Sequence, residues 1–191
     1  MSLFAGRLKP YVVTVEWSQA RLHWRAWVRA LRPGRSEKEA KLAADVSILA
    51  RESIATGCAA VDKLDAIAQV GRKLLETGAV EASYLDAMLE RERSLPTFFG
   101  EGVATPQGTD ESRWFVKRTV LVVLQFPAGV DWDGDDVRLC VGIASKGSEH
   151  ISILSTLARI LMDSQQARRL REAQDADTIL QLLNRLALTR R

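Results

Sequence analysis

The stretch Thr119-Val-Leu-Val-Val-Leu-Gln-Phe126, then Pro127-Ala-Gly-Val-Asp-Trp-Asp-Gly-Asp-Asp136, then Val137-Arg-Leu-Cys-Val-Gly-Ile-Ala144 decides the fold. Two apolar, β-branched runs on either side of a polar segment read as neighbouring buried strands joined by a turn over 127–136. Runs of this kind read as buried strands, and a layer-packed domain sets them against helices. The sequence supplies them. Upstream, Asp62 stands at the head of a periodic segment in which Leu64, Ile67, Ala68, Leu74 and Leu75 share one face, and Gly78 ends it. A second helix fits 81–93, with Tyr84, Leu85, Met88 and Leu89 inward and Pro96 closing it. Ile54 to Ala60 is a short apolar stretch, and 100–109 is rich in Gly, Pro and Thr and reads as a loop. Downstream, Gly147-Ser148 precedes a long helix carrying Ile151, Ile153, Leu154, Leu157, Ile160 and Leu161, with further helical patterns to the C-terminus. The expected fold is α/β, a single layer-packed domain with strands and helices interleaved.

A chain of 191 residues suits one domain with an appendage. Its hydrophobic content of 47% is enough for a real core. The longest aliphatic run, Val120 to Leu124, is far short of the roughly 18–20 residues that span a bilayer, and the first ten residues lack the apolar core of a signal peptide. A cytoplasmic protein without a membrane span is expected. Cys58 and Cys140 stand singly, which fits a reducing compartment. The net charge of +3 is uneven: residues 1–47 hold nine Lys/Arg and four acids, whereas the remainder holds 18 bases and 20 acids. Basicity therefore belongs to an N-terminal leader and gives no argument for nucleic-acid binding. In that leader Trp17, Trp24, Trp27, Val28 and Leu31 recur at helical spacing, with Arg21, Arg25, Arg29 and Arg32 on another face. Several readings stand side by side: a basic amphipathic helix for an anionic surface or acidic partner, an accessory helix packed on the body, a linker from an upstream domain, or a non-native extension ahead of Val46. The division expected is a leader over 1–47 and a folded domain over 48–191.

Familiar chemical constellations fit poorly. Residues 131–136 cluster four carboxylates, but a calcium loop starting at Asp131 would need Gly and Glu where Asp136 and Gly142 stand. Gly100 and Gly102 open a dinucleotide-type pattern that ends on Thr105, with no strand directly before it. The two histidines and two cysteines have no metal-ligand spacing. No metal and no cofactor are expected. What remains is loop chemistry suited to anions at strand ends: Arg91 behind a helix face, the polar turn 105–109, and Lys146-Gly-Ser-Glu-His150 leading into a helix.

Four runs, 74–92, 97–106, 123–132 and 141–151, closely resemble the mannitol/fructose-type EIIA domain of the bacterial phosphoenolpyruvate:sugar phosphotransferase system, nearest its mannitol branch. The resemblance covers about 50–188. It implies a mixed sheet flanked by helices, and a protein that takes a phosphoryl group onto a histidine from the phosphocarrier HPr and passes it to a cysteine of the EIIB partner. Arg91 corresponds to the arginine of the family's Met-x-x-Arg-Glu motif, a counter-charge for phosphoryl oxygens. His150 corresponds to its second histidine, a donor to the same group. The acceptor histidine of the family's Pro-His-Gly-Thr turn is replaced here by Gln107. Imidazole offers a free ring lone pair near neutral pH. A carboxamide nitrogen, its lone pair delocalised into the carbonyl, can only hydrogen-bond. Two classes of function therefore compete: a phosphotransferase component, in which Gln107 freezes an otherwise intact site, and a silent binding or regulatory module that docks HPr or EIIB. A variant of the first has His150 take the group itself.

Overall fold

The computed structural model describes residues 48–188, with side chains to Asn184. The leader's amphipathic pattern lies outside the described residues. Five strands form one sheet in the order β1-β4-β5-β3-β2: β1 (Ile54–Ala55), β2 (Phe98–Gly100), β3 (Val103–Ala104), β4 (Val120–Trp132) and β5 (Asp135–Ala144). β1 runs parallel to β4 and β3 parallel to β5, while β4–β5 and β2–β3 are antiparallel, so the sheet is mixed as expected. The helices are α1 (Lys63–Glu76), α2 (Ser83–Ser94), α3 (Glu149–Met162), α4 (Ser164–Arg171) and α5 (Ala176–Leu188).

Two cores sandwich the sheet. On one face Ile67, Val70 and Leu74 of α1 and Met88 of α2 meet Val122, Leu124 and Cys140. On the other, Leu157, Ile160 and Leu161 of α3, with Leu170 and Ile179, meet Val123, Leu139 and Val141. Alternate residues of β4 and β5 thus feed opposite cores, which is why neither strand shows polar alternation. Asp62 caps α1 by accepting the Asp65 N–H at 2.8 Å. Leu64, expected inward, is 38% exposed at the start of α1, and the buried stripe is instead Ala66, Ile67, Val70, Gly71 and Leu74.

Two expectations need correction. The turn expected over 127–136 is mostly strand: β4 continues to Trp132, passing a register shift between Gln125 and Val130 that accommodates Pro127. The reversal is only Asp133-Gly134, both at positive φ (58° and 94°), the two-residue turn whose twist matches the strands it joins. The loop expected over 100–109 starts on the last residue of β2 and contains a second two-residue turn, Glu101-Gly102, and β3. In the carboxylate cluster, Asp131 accepts the Gly134 N–H at 2.8 Å, Asp133 pairs with Lys63 at 2.6 Å and Asp136 with Arg138 at 2.8 Å. These contacts hold a hairpin end.

Candidate functional site at the end of the central strand

The polar turn after β3 lies against the C-terminal end of β5. Pro106 C=O accepts the Ile143 N–H at 3.0 Å, and Gln107 pairs with Ile143 in a parallel bridge. From α2, the buried Tyr84 hydroxyl donates to the Ile143 carbonyl at 2.8 Å and accepts the Gly108 N–H at 3.0 Å. One phenol thus fixes both the strand end and the residue after Gln107. Burial pushes the Tyr84 hydroxyl pKa up, against the lowering effect of the Gly108 N–H, which keeps it the neutral donor–acceptor this role needs. A Cβ on residue 108 would lie 2.2 Å from Ser112 Oγ and 2.6 Å from Tyr84 Cε2, so only glycine lets the turn sit this close.

Gln107 is partly exposed, and its carboxamide makes no hydrogen bond among the described residues. Arg91, in the last turn of α2, is partly buried, and its Nη1–H group donates to the Leu95 carbonyl. Burial lowers its pKa, while Glu92 and Asp110 oppose that effect. A guanidinium remains charged under such a shift.

His150 reaches the same strand end from the other side. Its backbone N–H donates to Ser145 Oγ at 3.2 Å, two residues past Ile143, and its Nδ1 lies 3.1 Å from the Gly147 carbonyl. A carbonyl only accepts, so the neutral ring carries its proton on Nδ1 and leaves Nε2 as an acceptor. Nε2 donates to a phosphoryl oxygen only in the imidazolium form, which refines the donor role implied by the resemblance. Gln107, Arg91 and His150 make no direct hydrogen bond to one another among the described residues. Gln107 pairs with Ile143 and His150 with Ser145 at one strand end, whereas Arg91 is held to Leu95 at the close of α2.

Sequence reasoning missed the residues that build this frame. Tyr84 read only as an inward helix residue, and Ser145 and Glu149 were not singled out. The available signal for Glu149 was an acid in the first turn of a helix. It accepts the Gly147 N–H at 2.7 Å and Ser145 Oγ–H at 2.9 Å. Desolvation opposes its ionisation, but its own backbone N–H, the Ser145 and Gly147 hydrogen bonds and the nearby His150 outweigh that and hold its carboxyl below the usual range. A lowered carboxyl pKa stabilises the fold fully above the unfolded value of about 4.3 and loses that contribution as pH falls through the lowered folded value. Urea unfolding across this acid range should show a shallower pH slope for Glu149→Gln than for the parent chain. Equal slopes would mean that Glu149 does not anchor this loop.

The concavity of about 740 Å³ lined by Gln125, Arg138 and Arg171 lies at the opposite end of β5. Its guanidinium groups already serve Asp136, Pro127 and Glu101, so it is a separate feature from the turn.

A mixed sheet covered by helices on both faces, with a polar turn and a helix start meeting at the end of β5, is an α/β domain of the kind that places binding groups at strand ends. The chain belongs to the family described as phosphoenolpyruvate-dependent sugar phosphotransferase system, EIIA 2, which it matches over residues 47–186. It is an EIIA domain of the mannitol type. It is 42% identical over 118 residues to the mannitol-specific phosphotransferase enzyme IIA component of Staphylococcus aureus, covering 62% of this chain and 82% of that protein. The crystal structure of IIA mannitol from Escherichia coli superimposes with a TM-score of 0.65 at 38% identity, covering 70% of this chain and 97% of that one. The enzyme IIA of a complex with phosphorylated enzyme IIB from the same organism gives a TM-score of 0.65 at 39% identity, covering 69% and 94%.

Proposed function

We propose that this chain stands in the EIIA position of a mannitol-type phosphotransferase system, between HPr and the EIIB domain, and that Gln107 stops it at the docking step. The observation that carries this reading is the Gln107 carboxamide, without a hydrogen bond among the described residues, on a turn held against Ile143, with His150 tied to Ser145 at the same strand end. The matched enzyme IIA solved with phosphorylated enzyme IIB supports an EIIB partner. The surface supports protein docking as well: Trp114, in the short helix Glu111–Phe115 just past the turn, is 90% exposed, and Ile151, next to His150, is 51% exposed. Aromatic side chains raised on a rigid frame are common anchors of protein interfaces. Among the described residues no helix is long and apolar enough to cross a membrane. A cytoplasmic setting beside a membrane-bound permease fits this role.

In relatives with histidine at this place, the HPr phosphoryl group would move to a ring nitrogen. Here the residue offers an amide N–H₂ and a carbonyl oxygen, neither of which is a nucleophile for phosphorus at neutral pH. The purified chain given phosphoenolpyruvate, enzyme I and HPr should therefore accumulate no acid-labile phosphohistidine. Stoichiometric labelling that disappears with His150→Ala would show that the second histidine accepts the group, and would overturn the docking-only reading.

A further inference from the structure

We infer that the cavity of about 740 Å³ at the far end of β5 is a binding site for a neutral polyhydroxy compound, a sugar or a sugar alcohol. The cavity lies away from the turn that carries Gln107, so binding there is independent of the docking role proposed above.

A buried carboxamide points to a ligand. Gln125 lines the cavity and is 4% exposed. Its Nε2 group donates to the Arg171 carbonyl at 2.8 Å and to the Ala173 carbonyl at 2.6 Å, which uses both N–H groups and fixes which way round the amide sits. Oε1 is thereby turned away from both carbonyls, and it accepts no hydrogen bond among the described residues. Folded proteins pair nearly all buried acceptors, because an unpaired one has lost its water and gained nothing.

The cavity wall decides what kind of group would pair with it. Arg138 and Arg171 are its cations, and Glu101, Asp136 and Glu172 its acids. Asp136 holds Arg138 at 2.8 Å, Glu101 lies 3.7 Å from Arg171, and both oxygens of Glu172 are 3.0 Å from Arg168 Nε. With every carboxylate already beside a cation, the wall has no surplus of positive charge for an anion, and its two guanidinium groups would repel a metal ion. Donors remain. Arg138 spends Nε on Asp136 and Nη1 on the Pro127 carbonyl, and Arg171 spends Nη1 on the Glu101 carbonyl, so the Nη2 groups of both have no hydrogen bond among the described residues. Gly102 lets Arg171 lie close against the β2–β3 turn: a Cβ there would stand 2.9 Å from Arg171 Cδ. One acceptor and several donors around a polar space suit hydroxyl groups, each of which donates one hydrogen and accepts through its lone pairs. An apolar ligand would strand them all. The volume falls in the range of about 300–1,000 Å³ common for small-molecule sites.

The test titrates the full chain with sorbitol, an open-chain polyol, and with glucose, a cyclic one, using citrate as the anionic probe. Binding is followed by calorimetry and by NMR shifts of backbone and side-chain amides. At least one of the two neutral compounds should give saturable shifts of the Gln125 side-chain amide and of Gly102, with a dissociation constant on the order of millimolar. Gln125→Met keeps the side chain's length but removes Oε1, and Arg138→Met keeps the stem but removes the guanidinium. Each should weaken binding about tenfold, the change expected from one hydrogen bond to a charged or buried partner. Gln125→Met also takes the donor from two carbonyls, so where it disturbs the fold the half-exposed Arg138→Met decides. No saturable shift with either neutral compound overturns the inference. Binding of citrate in their place overturns it as well, since the cavity would then be an anion site. Affinity unchanged in Arg138→Met would put the compound elsewhere on the chain and overturn it too.

Discussion

Gln107→His alone should convert the chain from one that takes no label to one that takes about one phosphoryl group per chain from phospho-HPr. Everything that holds the turn survives the change. Pro106 and Gln107 are positioned by backbone contacts to Ile143, and Gly108 by the Tyr84 hydroxyl. The Gln107 side chain has no hydrogen bond to lose among the described residues. Imidazole is similar in reach and supplies the missing lone pair. Loss of a single transition-state donor costs about 10² to 10³ in rate, whereas loss of the nucleophile closes the covalent route, so this replacement should outweigh any other single change at the site. Acid-labile, base-stable radiolabel from phosphoenolpyruvate provides the readout. An unlabelled Gln107→His that still binds HPr would show that the silence is built into the surrounding residues.

The largest stability effect should come from Glu92, next to Arg91. It is 2% exposed, yet its carboxylate accepts the Thr97 N–H at 2.8 Å, the Thr97 hydroxyl at 2.6 Å and the Trp132 indole N–H at 2.8 Å, with Lys63 Nζ at 3.5 Å. These bonds tie the end of α2 to the entry of β2 and the end of β4. Glu92→Ala strands the indole N–H and the Thr97 donors in the core and removes the buried partner of Lys63. The expected loss is about 3–5 kcal/mol in denaturant unfolding. Glu92→Gln keeps the volume but turns one acceptor into a donor facing donors, for a smaller loss of about 1–3 kcal/mol. A loss below 1 kcal/mol in Glu92→Ala would mean that this network contributes little to the fold.

These two residues show what the sequence made legible. The family motif containing Arg91 and Glu92 pointed to the arginine as functional, while the glutamate's structural task depends on Trp132 and Thr97, which only the folded chain brings to it. Helix α1 was readable because its cap and its apolar period are local signals carried by Asp62 and the Ile67–Leu74 face. The hairpin was not read correctly because Pro127 and Gly129 imitate a turn. They occupy an irregularity inside β4, whereas the real reversal, Asp133-Gly134, carried the sharper signal. Strands β2 and β3 escaped notice because they are three and two residues long and surround a Glu-Gly turn, too short for any period to show. At the site, Gln107 and His150 could be placed by motif. The frame that brings them to one strand end, Tyr84 bridging Ile143 and Gly108 and Ser145 receiving His150, is made of contacts between residues far apart in the chain.

The central claim is that the chain docks in the EIIA position without carrying the phosphoryl group. Its most direct test is a reconstituted relay of enzyme I, HPr, a working mannitol-type EIIA and EIIB, followed by phosphorylation of the EIIB cysteine as this chain is added. Docking without transfer predicts that EIIB phosphorylation slows in proportion to the added chain, and that the chain cannot replace the working EIIA when that component is left out. Transfer that is unaffected by an excess of the chain, or that proceeds with the chain as the only EIIA, would contradict it.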